Sequence, residues 1–593
     1  MDGGPSAIVL GVERSVSGRR WRTRPGDPHQ AAMIAERLGL PEIVGRLLAQ
    51  RGVGAAEAPG FLAPRLRDLL PDPSHLLDMD RAVARIVAAV RAGEKIVVFG
   101  DYDVDGATSA ALLRRYFAAI GVEIGVYVPD RMREGYGPNA AALARLKAAG
   151  ARLVITVDCG TTAHEALGAA AADGLDVIVV DHHVAEPLLP AAVAIVNPNR
   201  LDETSPHGNL AAVGLAFLLA VAVNRALRDG GWYGGRGAPD LLQWLDLVAL
   251  GTVCDVVPLS GLNRALVAQG IKVARNGANR GLAALGAAAA LSGPIDAYQL
   301  GFALGPRVNA GGRVGAADLG ARLLATDDET LGAELARCLN DHNRERRDIE
   351  KVTLEAAIEM VEAEPQAPVL VFAAAEGWHP GVIGIVAARL KERYGRPACV
   401  VALADGIGKG SGRSIPGIAL GPAVIAARQA GLLINGGGHA MAAGFTAAAD
   451  RVGALREFLA ERLGDGLDHD RLVPELRIDG ALSAQAASSG LIAHLDALAP
   501  FGSANPEPRF VLPSIRIAHA EPVGTGHLRC TLADPLGAGQ LRAIAFRVEG
   551  APLGRFLADM RGRAVHVAGH LRRDSWRGGD AVQFQIDDAA LPE

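Results

Sequence analysis

Asp101, Asp103 and Asp105 alternate within Gly100–Gly106, which reads GDYDVDG. Three further segments carry acids or imidazoles: Asp158 in VDCG (157–160), Asp181-His182-His183, and Asp255 in CDVVP (254–258). Each reads as the sequel to an apolar, buried strand. Two carboxylates as close as Asp101 and Asp103 repel unless cations neutralise them. Hard oxygen ligands mixed with imidazole suit Mn²⁺ or Mg²⁺ better than zinc, for which cysteine is expected. Two ions about 3.5–4 Å apart can clamp a phosphodiester, activate a water and stabilise the leaving oxygen. Asp158 is the natural carboxylate to bridge them. The chemistry indicated is phosphoester hydrolysis. Taken singly, DxDxDG fits a helix cap about as well, and the Asp-His-His triplet fits a helix start beside ordinary histidines. Four such segments at successive strand ends favour metals. A calcium loop of the EF-hand type is excluded, because Leu112 stands where its last glutamate belongs.

The elements that must position these residues alternate. Strands are expected at Ile96–Phe99, Ile124–Val128, Leu153–Val157, Val177–Val180 and Ala192–Val196. Helices are expected at Ala107–Ile120, Ala140–Ala149 and His164–Ala172. Short apolar strands alternating with helices predict a parallel α/β sheet. Ligands in such sheets bind outside the carboxyl ends of the strands, where Asp101, Asp158 and Asp181 fall.

With 593 residues the chain exceeds the size of a single core, so several domains are expected. Half its residues are hydrophobic but only 4% aromatic, which predicts aliphatic cores. A net charge of −5 argues against a protein that coats nucleic acid through bulk positive charge, though not against a nuclease with a basic groove. Five scattered cysteines without a CxxC pair offer neither a disulfide framework nor a zinc site, and fit a reducing cytoplasm. No signal-peptide core or membrane span is apparent. The expected division is a leader at 1–75, read as a solvated arginine-bearing arm, then a catalytic domain at 76–260. A helical region with a charged connecting helix covers 261–364. A second α/β domain occupies 365–468, with Gly-rich segments at Gly408–Ser414 and Gly436–His439. A small β-barrel at 469–593 completes the chain.

The motifs GDYDVDG, VDCG, DHH and GTVCDVVP (251–258) resemble those of the DHH phosphoesterase superfamily. WHPG (378–381), GKGSGRS (408–414) and GGGH (436–439) resemble its DHHA1 domain. With EGYG (134–137), PRVN (306–309) and PFGSANPEP (500–508), the pattern is similar to the RecJ family of bacterial exonucleases from about residue 75 onward. The resemblance implies a parallel-sheet DHH domain, a long connecting helix, an α/β DHHA1 domain and a C-terminal OB-like barrel. It implies two divalent ions, Mn²⁺ or Mg²⁺. Asp101 and Asp158 would hold one; Asp103, Asp158, His182 and Asp255 the other. Asp181 would orient an imidazole and His183 would face the scissile phosphate. Arg307 and Asn309 would contact the phosphate near the cut. Ser411 and Arg413, in a Gly-rich loop, would grip a 5′-terminal phosphate with help from Arg131. His439 would lie in a loop that closes over the substrate. Tyr136 would stack on a base or narrow the entrance. Two departures are Ala504, where Gly is usual, and Gly305, where Ala is common; neither is expected to touch the metal set.

The activity implied is metal-dependent 5′→3′ degradation of single-stranded DNA to nucleoside 5′-monophosphates, in DNA repair and recombination. The catalytic groove is expected between the DHH and DHHA1 domains. The barrel would track single strands through Arg561, Arg563, Arg572, Arg573, Trp576 and Arg577. Partners implied are single-stranded DNA, a single-strand-binding protein and a helicase. A cytoplasmic monomer is expected. Alternatives are a DHH phosphodiesterase for short RNA or small nucleotides, and a catalytically silent single-strand-binding scaffold.

Overall fold

The computed structural model describes residues 7–131, 133–363, 369–464, 473–535, 539–574 and 580–592. The chain divides into two units. One is Gly60–Arg346 with Ala499–Pro506; the other is Met1–Pro59, Arg347–Leu498 and Glu507–Glu593. In place of a solvated arm, residues 7–59 of the expected leader are packed: Ile34, Val44, Leu47 and Leu48 are fully buried. The strand β1 (Arg20–Thr23) pairs in parallel with Glu475–Ile478. Trp21 is fully buried among Leu476, Val511, Ala568 and Ala590, and its indole N–H donates to Asp588. Arg20, Arg22 and Arg24 each meet an acid, namely Glu13, Glu475 and Asp479. Those arginines neutralise the chain's own carboxylates.

In the unit around Gly60–Arg346, five parallel strands form one sheet: β2 (Ile96–Gly100), β3 (Gly125–Tyr127), β4 (Leu153–Val157), β5 (Asp176–Val180) and β6 (Ala194–Val196). Their order is β3-β2-β4-β5-β6. Alternate residues serve opposite cores, as a period of two requires. Ile96, Val98, Leu153, Ile155 and Val157 join the main cluster with helices Val104–Ala119 and Ala212–Asp229. Val97, Phe99, Val154 and Val179 pack on Leu143 and Leu167 of the other face. After β2 the chain steps to β3 on one side and then crosses to β4 on the other. Such a reversal opens a crevice at the carboxyl ends of the two central strands, here β2 and β4.

The remainder of that unit is helical. The charged helix runs from Glu329 to Glu362; at 1.5 Å per residue it is about 50 Å long. Its residues up to Arg346 belong to this unit and the rest to the other. One further correction bears on the site: Asp255 follows a helix, Leu245–Cys254, and not a strand.

The other unit holds a mixed sheet of β7 (Val371–Glu376), β8 (Ala398–Ala404), β9 (Ile407–Arg413), β10 (Asn435–Gly438) and β11 (Ala442–Ala448), in the order β10-β11-β9-β8-β7. It also holds β12 (Glu475–Ile478) and β13 (Gly480–Ala481). A five-stranded OB-like barrel follows: β14 (Phe510–Val523), β15 (His527–Ala533), β16 (Gln540–Ala545), β17 (Ala564–Arg573) and β18 (Val582–Ala590). Pairing of β14 with β17 closes it. The protein is thus multidomain α/β with a C-terminal OB-like barrel. Among the described residues no helix is long and apolar enough to cross a membrane.

Candidate active site

Three of the acids owe their positions to one register. Gly100 pairs with Val157, Val157 with Val180, and Val180 with Val196. The next residue of each strand continues the ladder. The N–H of Asp101 donates to Val157 O (3.3 Å), that of Asp158 to Val180 O (3.0 Å), and that of Asp181 to Val196 O (3.1 Å). Asp101, Asp158 and Asp181 therefore lie in one row across the carboxyl edge of the sheet, all three buried. Asp158 has φ +62°, a left-handed conformation that turns the chain off the edge.

Helix ends supply the rest. Asp103 caps helix Val104–Ala119, its Oδ1 accepting the N–H of Gly106 at 3.0 Å. Asp255 caps the far end of helix Leu245–Cys254. His182 Nε2 stands 3.3 Å from Asp158 Oδ1 and 3.6 Å from Asp255 Oδ2. Asp181 accepts four bonds: from the N–H groups of Thr161, His182 and His183, and from His183 Nδ1 at 2.7 Å. Tyr136, 53% exposed, donates to Asp158 O at 3.1 Å and meets the His183 ring edge-on.

So many buried acids raise one another's proton affinity. Burial, then Asp103, pushes Asp101 up to about 8. Burial, then Asp103, pushes Asp255 up to about 7. Burial and the surrounding Asp103, Asp105 and Asp101 hold Asp158 well above the usual carboxylate range. Burial, then His183, pushes His182 down to about 4, so its imidazole is neutral. His183 behaves oppositely: burial lowers it, but the bond to Asp181 carries it up to about 9. Asp101 Oδ1, His182 Nε2 and Asp255 Oδ2 are buried with no hydrogen-bond partner among the described residues. Orphaned buried acceptors beside mutually repelling acids are what a cation would satisfy. Among the described residues, three sets bring ligand atoms within 4.8 Å of one another: Asp101/Asp103/Asp158, Asp158/His182/His183 and Asp105/His182/Asp255. The donor chemistry, carboxylate and neutral imidazole without thiolate, fits a divalent cation of the Mn²⁺ or Mg²⁺ kind.

Basic groups flank the acids. Arg131 stacks over the Tyr102 ring at 4.9 Å. Arg307 donates to Asn340 Oδ1 and Ala303 O, and Asn309 is half-buried two residues on. Ser411, Arg413 and His439 belong to the other unit. There the expected Gly-rich loop is corrected: Ile407–Arg413 is a strand. A Cβ on Gly410 would strike Phe445 at 2.0 Å, and one on Gly412 would strike Leu420 at 2.5 Å. Those glycines lie flat on the core, so Lys409, Ser411 and Arg413 occupy the opposite face. Arg413 donates to Ser411 Oγ at 3.2 Å, and Gly384, in the first turn of helix Ile383–Tyr394, presses on both side chains. His439 lies in the exposed turn between β10 and β11. In the barrel, Arg572 pairs with Glu507 and Arg573 with Asp496, whereas Arg561 and Arg563 are exposed. Trp576 and Arg577 lie outside the described residues.

Sequence reasoning missed several participants. Asp105 is buried, accepts the N–H groups of Ala212 (2.6 Å) and Val213 (2.9 Å), and lies 3.9 Å from His182 Nε2. Its signal was the third acid of DxDxDG. Asn197 stands one residue past β6, level with the row of acids, and donates to Thr161 Oγ1 and His183 O. Asn199 donates to His182 O. The NPN at 197–199 after a short apolar run was the available clue. Arg313 is pushed down to about 10 by burial and by Arg131. Gly305 packs on the residue before Asp255: a Cβ there would lie 2.4 Å from Cys254 Sγ.

A row of acids at a parallel sheet's switch point, completed by a DHH triplet, defines a phosphoesterase of the DHH class. Residues 95–252 match the DHH family N-terminal domain, 366–465 the DHHA1 domain and 478–588 the RecJ OB domain. The single-stranded-DNA-specific exonuclease RecJ of Dickeya dadantii is 39% identical over 560 residues, covering 92% of this chain and 96% of that protein. The crystal structure of Thermus thermophilus RecJ in complex with Mn²⁺ superposes with TM-score 0.78 at 31% identity, over 96% of this chain and 78% of that one. The Mg²⁺ complex gives 0.72 at 30% identity, over 96% and 77%. This chain belongs to the RecJ family of single-stranded-DNA-specific exonucleases.

Proposed function

We propose that this protein hydrolyses single-stranded DNA from the 5′ end, releasing nucleoside 5′-monophosphates, with two divalent ions, Mn²⁺ or Mg²⁺. The observation that carries the reading is the register-aligned row of Asp101, Asp158 and Asp181, faced by neutral His182 and by Asp255. Asp101 and Asp158 would hold one ion; Asp103, Asp158, His182 and Asp255 would hold the other. When bound, such ions lower the pKa of a water and neutralise the charge that develops on the phosphate.

The chain's own groups do the remaining work. Asp181 holds His183 Nδ1 in one orientation, leaving the other ring nitrogen to donate to a phosphate oxygen. Arg307 and Asn309 contact the phosphate beside the cut. Arg131, backed by Arg313, holds a neighbouring phosphate, and Tyr136 stacks on a base or excludes a second strand. On the other unit, Ser411 and Arg413 beside a helix N-terminus suit a terminal phosphate. His439 closes over the strand. Exposed Arg561 and Arg563 on the barrel bind backbone further along. Five unbridged cysteines support a reducing cytoplasm. DNA repair and recombination, with a single-strand-binding protein and a helicase, is the setting.

The test is digestion of a long single strand labelled at either end, with Mn²⁺ or Mg²⁺ and a blunt duplex control. Metal-dependent release of mononucleotides from the 5′ label, sparing the duplex, is expected. Binding without cleavage would instead indicate a scaffold, and cleavage confined to dinucleotides a small-substrate phosphodiesterase.

A further inference from the structure

Asp255, like Asp103, is placed by a helix end rather than by the sheet, and the backbone after it is strained. Val256 has φ +62°. For a β-branched residue this is an outlier, and it persists only where the surroundings over-determine it. Its own side chain is 68% exposed and so does not anchor it. The anchors lie just downstream. Leu259 is 2% exposed, and its N–H donates to Ser503 O at 2.9 Å. The buried Asn263 donates from Nδ2 to Pro258 O at 3.1 Å and to Asn209 O at 2.6 Å.

Ser503 belongs to Ala499–Pro506, a segment grouped with the Gly60–Arg346 unit although both its chain flanks belong to the other. It is internally braced. Gly502 and Asn505 exchange two backbone hydrogen bonds, and Asn505 Nδ2 donates to Pro500 O at 2.8 Å. Its seat is Arg264, a residue only 1% exposed. The guanidinium lies 3.8 Å over the Phe61 ring and donates to Phe61 O (2.8 Å), Ala499 O (2.8 Å) and Pro500 O (3.4 Å). Gly502 presses on Leu259: a Cβ there would sit 2.7 Å from Leu259 Cδ1.

We propose that Ala499–Pro506, locked by Arg264, is a positioning strap that holds the strained turn at Val256 and thereby sets the Asp255 carboxylate toward His182 and its cation. The inference rests on the metal-dependent reading above. Arg264 and the strap touch no reacting atom; they act through Leu259, Pro258 and Val256. Arg264 is suited to the task because its planar fork reaches three carbonyls at once, which a lysine ammonium on a flexible stem does not reproduce. The PFGSANPEP motif, to which sequence reasoning gave no task, thereby acquires one.

The experiment titrates Mn²⁺ into full-length wild type, Gly502→Ala and Arg264→Lys by electron paramagnetic resonance. Steady-state cleavage at graded Mn²⁺ and thermal unfolding run alongside. Each strap variant is expected to bind its weaker Mn²⁺ about tenfold less tightly, the scale of losing an outer support of a ligand. Half-saturating Mn²⁺ for cleavage rises equally, kcat recovers at high Mn²⁺, and KM for the strand is unchanged. Unchanged Mn²⁺ affinity in a folded Gly502→Ala protein overturns the proposal, whatever its melting temperature. Should Arg264→Lys fail to fold, Gly502→Ala alone decides. Wild type that binds no Mn²⁺ overturns the metal reading itself, a failure distinguishable from that of the strap.

Discussion

Replacing Asp158 by Asn separates what the site costs the fold from what it gives the reaction. Asp158 enters two of the three potential ligand sets, with Asp101 and Asp103 on one side and with His182 and His183 on the other. Losing even an outer support of a metal ligand typically costs 10–100-fold in affinity. On the proposed two-cation reading Asp158 loses at least that at each ion, so the combined loss is about 10²–10⁴-fold, or about 3–5.5 kcal/mol. Cleavage at sub-saturating Mn²⁺ should fall by that factor while single-strand binding persists. The metal-free fold should respond in the opposite sense. Asp158 is 2% exposed, and burial with Asp103, Asp105 and Asp101 disfavours its charge. The neutral amide removes that repulsion, so metal-free Asp158→Asn should melt above metal-free wild type. Saturating Mn²⁺ should reverse the order. The assays are mononucleotide release and thermal unfolding with chelator or Mn²⁺. Undiminished cleavage in the variant would refute the assignment of Asp158 to the metals; a lower metal-free melting temperature would refute the repulsion argument.

The same acids give the metal-free protein a pH signature. Folded Asp101 and Asp255 sit at about 8 and about 7, above their ordinary value of 3.8, so the folded state binds these protons more tightly. Their contribution to stability is complete below pH 3.8 and is lost as pH rises through about 8. Chelated protein should therefore lose stability across that interval and regain it with Mn²⁺; a flat profile would contradict the clustering. Tyr298 and Phe302, stacked at 4.9 Å and 64% and 73% exposed, lie just before Arg307 and suit a nucleobase. Phe302→Ala should raise KM for long single strands several-fold and leave kcat; an unchanged KM would dismiss the pair as a base platform. In the barrel, Asp588→Ala strips buried Ser15 and Trp21 of their acceptor, at ~1–3 kcal/mol each, about 2–6 kcal/mol together. Denaturant unfolding that shows no loss would mean that the N-terminal segment is not held through Asp588.

Strands and their ends were legible because they are short, apolar and unbroken: Leu153–Val157 is read from sequence with the same bounds it has in the fold. Helix starts were less legible. Ala107 looks like the beginning of helix Val104–Ala119 only if Asp103 and Asp105 are reserved for metals; in the fold Asp103 is also the cap and Asp105 sits in the first turn. A reading that reserves Asp103 for a cation overlooks the cap that the fold shows. The GKGSGRS run failed for a related reason. Glycine spacing that permits a phosphate loop equally permits a strand pressed against Phe445 and Leu420, and only the partner strands decide. The N-terminal arginines looked solvated because their partners Glu475 and Asp479 lie more than 450 residues away in the chain. Asn197 was harder to read because a neutral amide does not by itself mark a metal or acid–base site; its place comes from standing level with the acids, where it donates to Thr161 and His183.

Two devices with different tolerances therefore build one site. Asp101, Asp158 and Asp181 share a cause, the common register of β2, β4, β5 and β6. A slip by one residue would turn all three toward the opposite face together, so the sheet either presents the row or presents nothing. Asp255 has no such collective protection. It hangs from one helix end and a left-handed valine, and its aim depends on contacts that can loosen without unfolding a strand. Graded loss of metal affinity should arise from substitutions around residues 256–264 and 499–506. Substitutions in the sheet core should be all-or-none, lowering stability and activity in step. A chain that separates these two behaviours by position would have its register row and its strap as the physical reason.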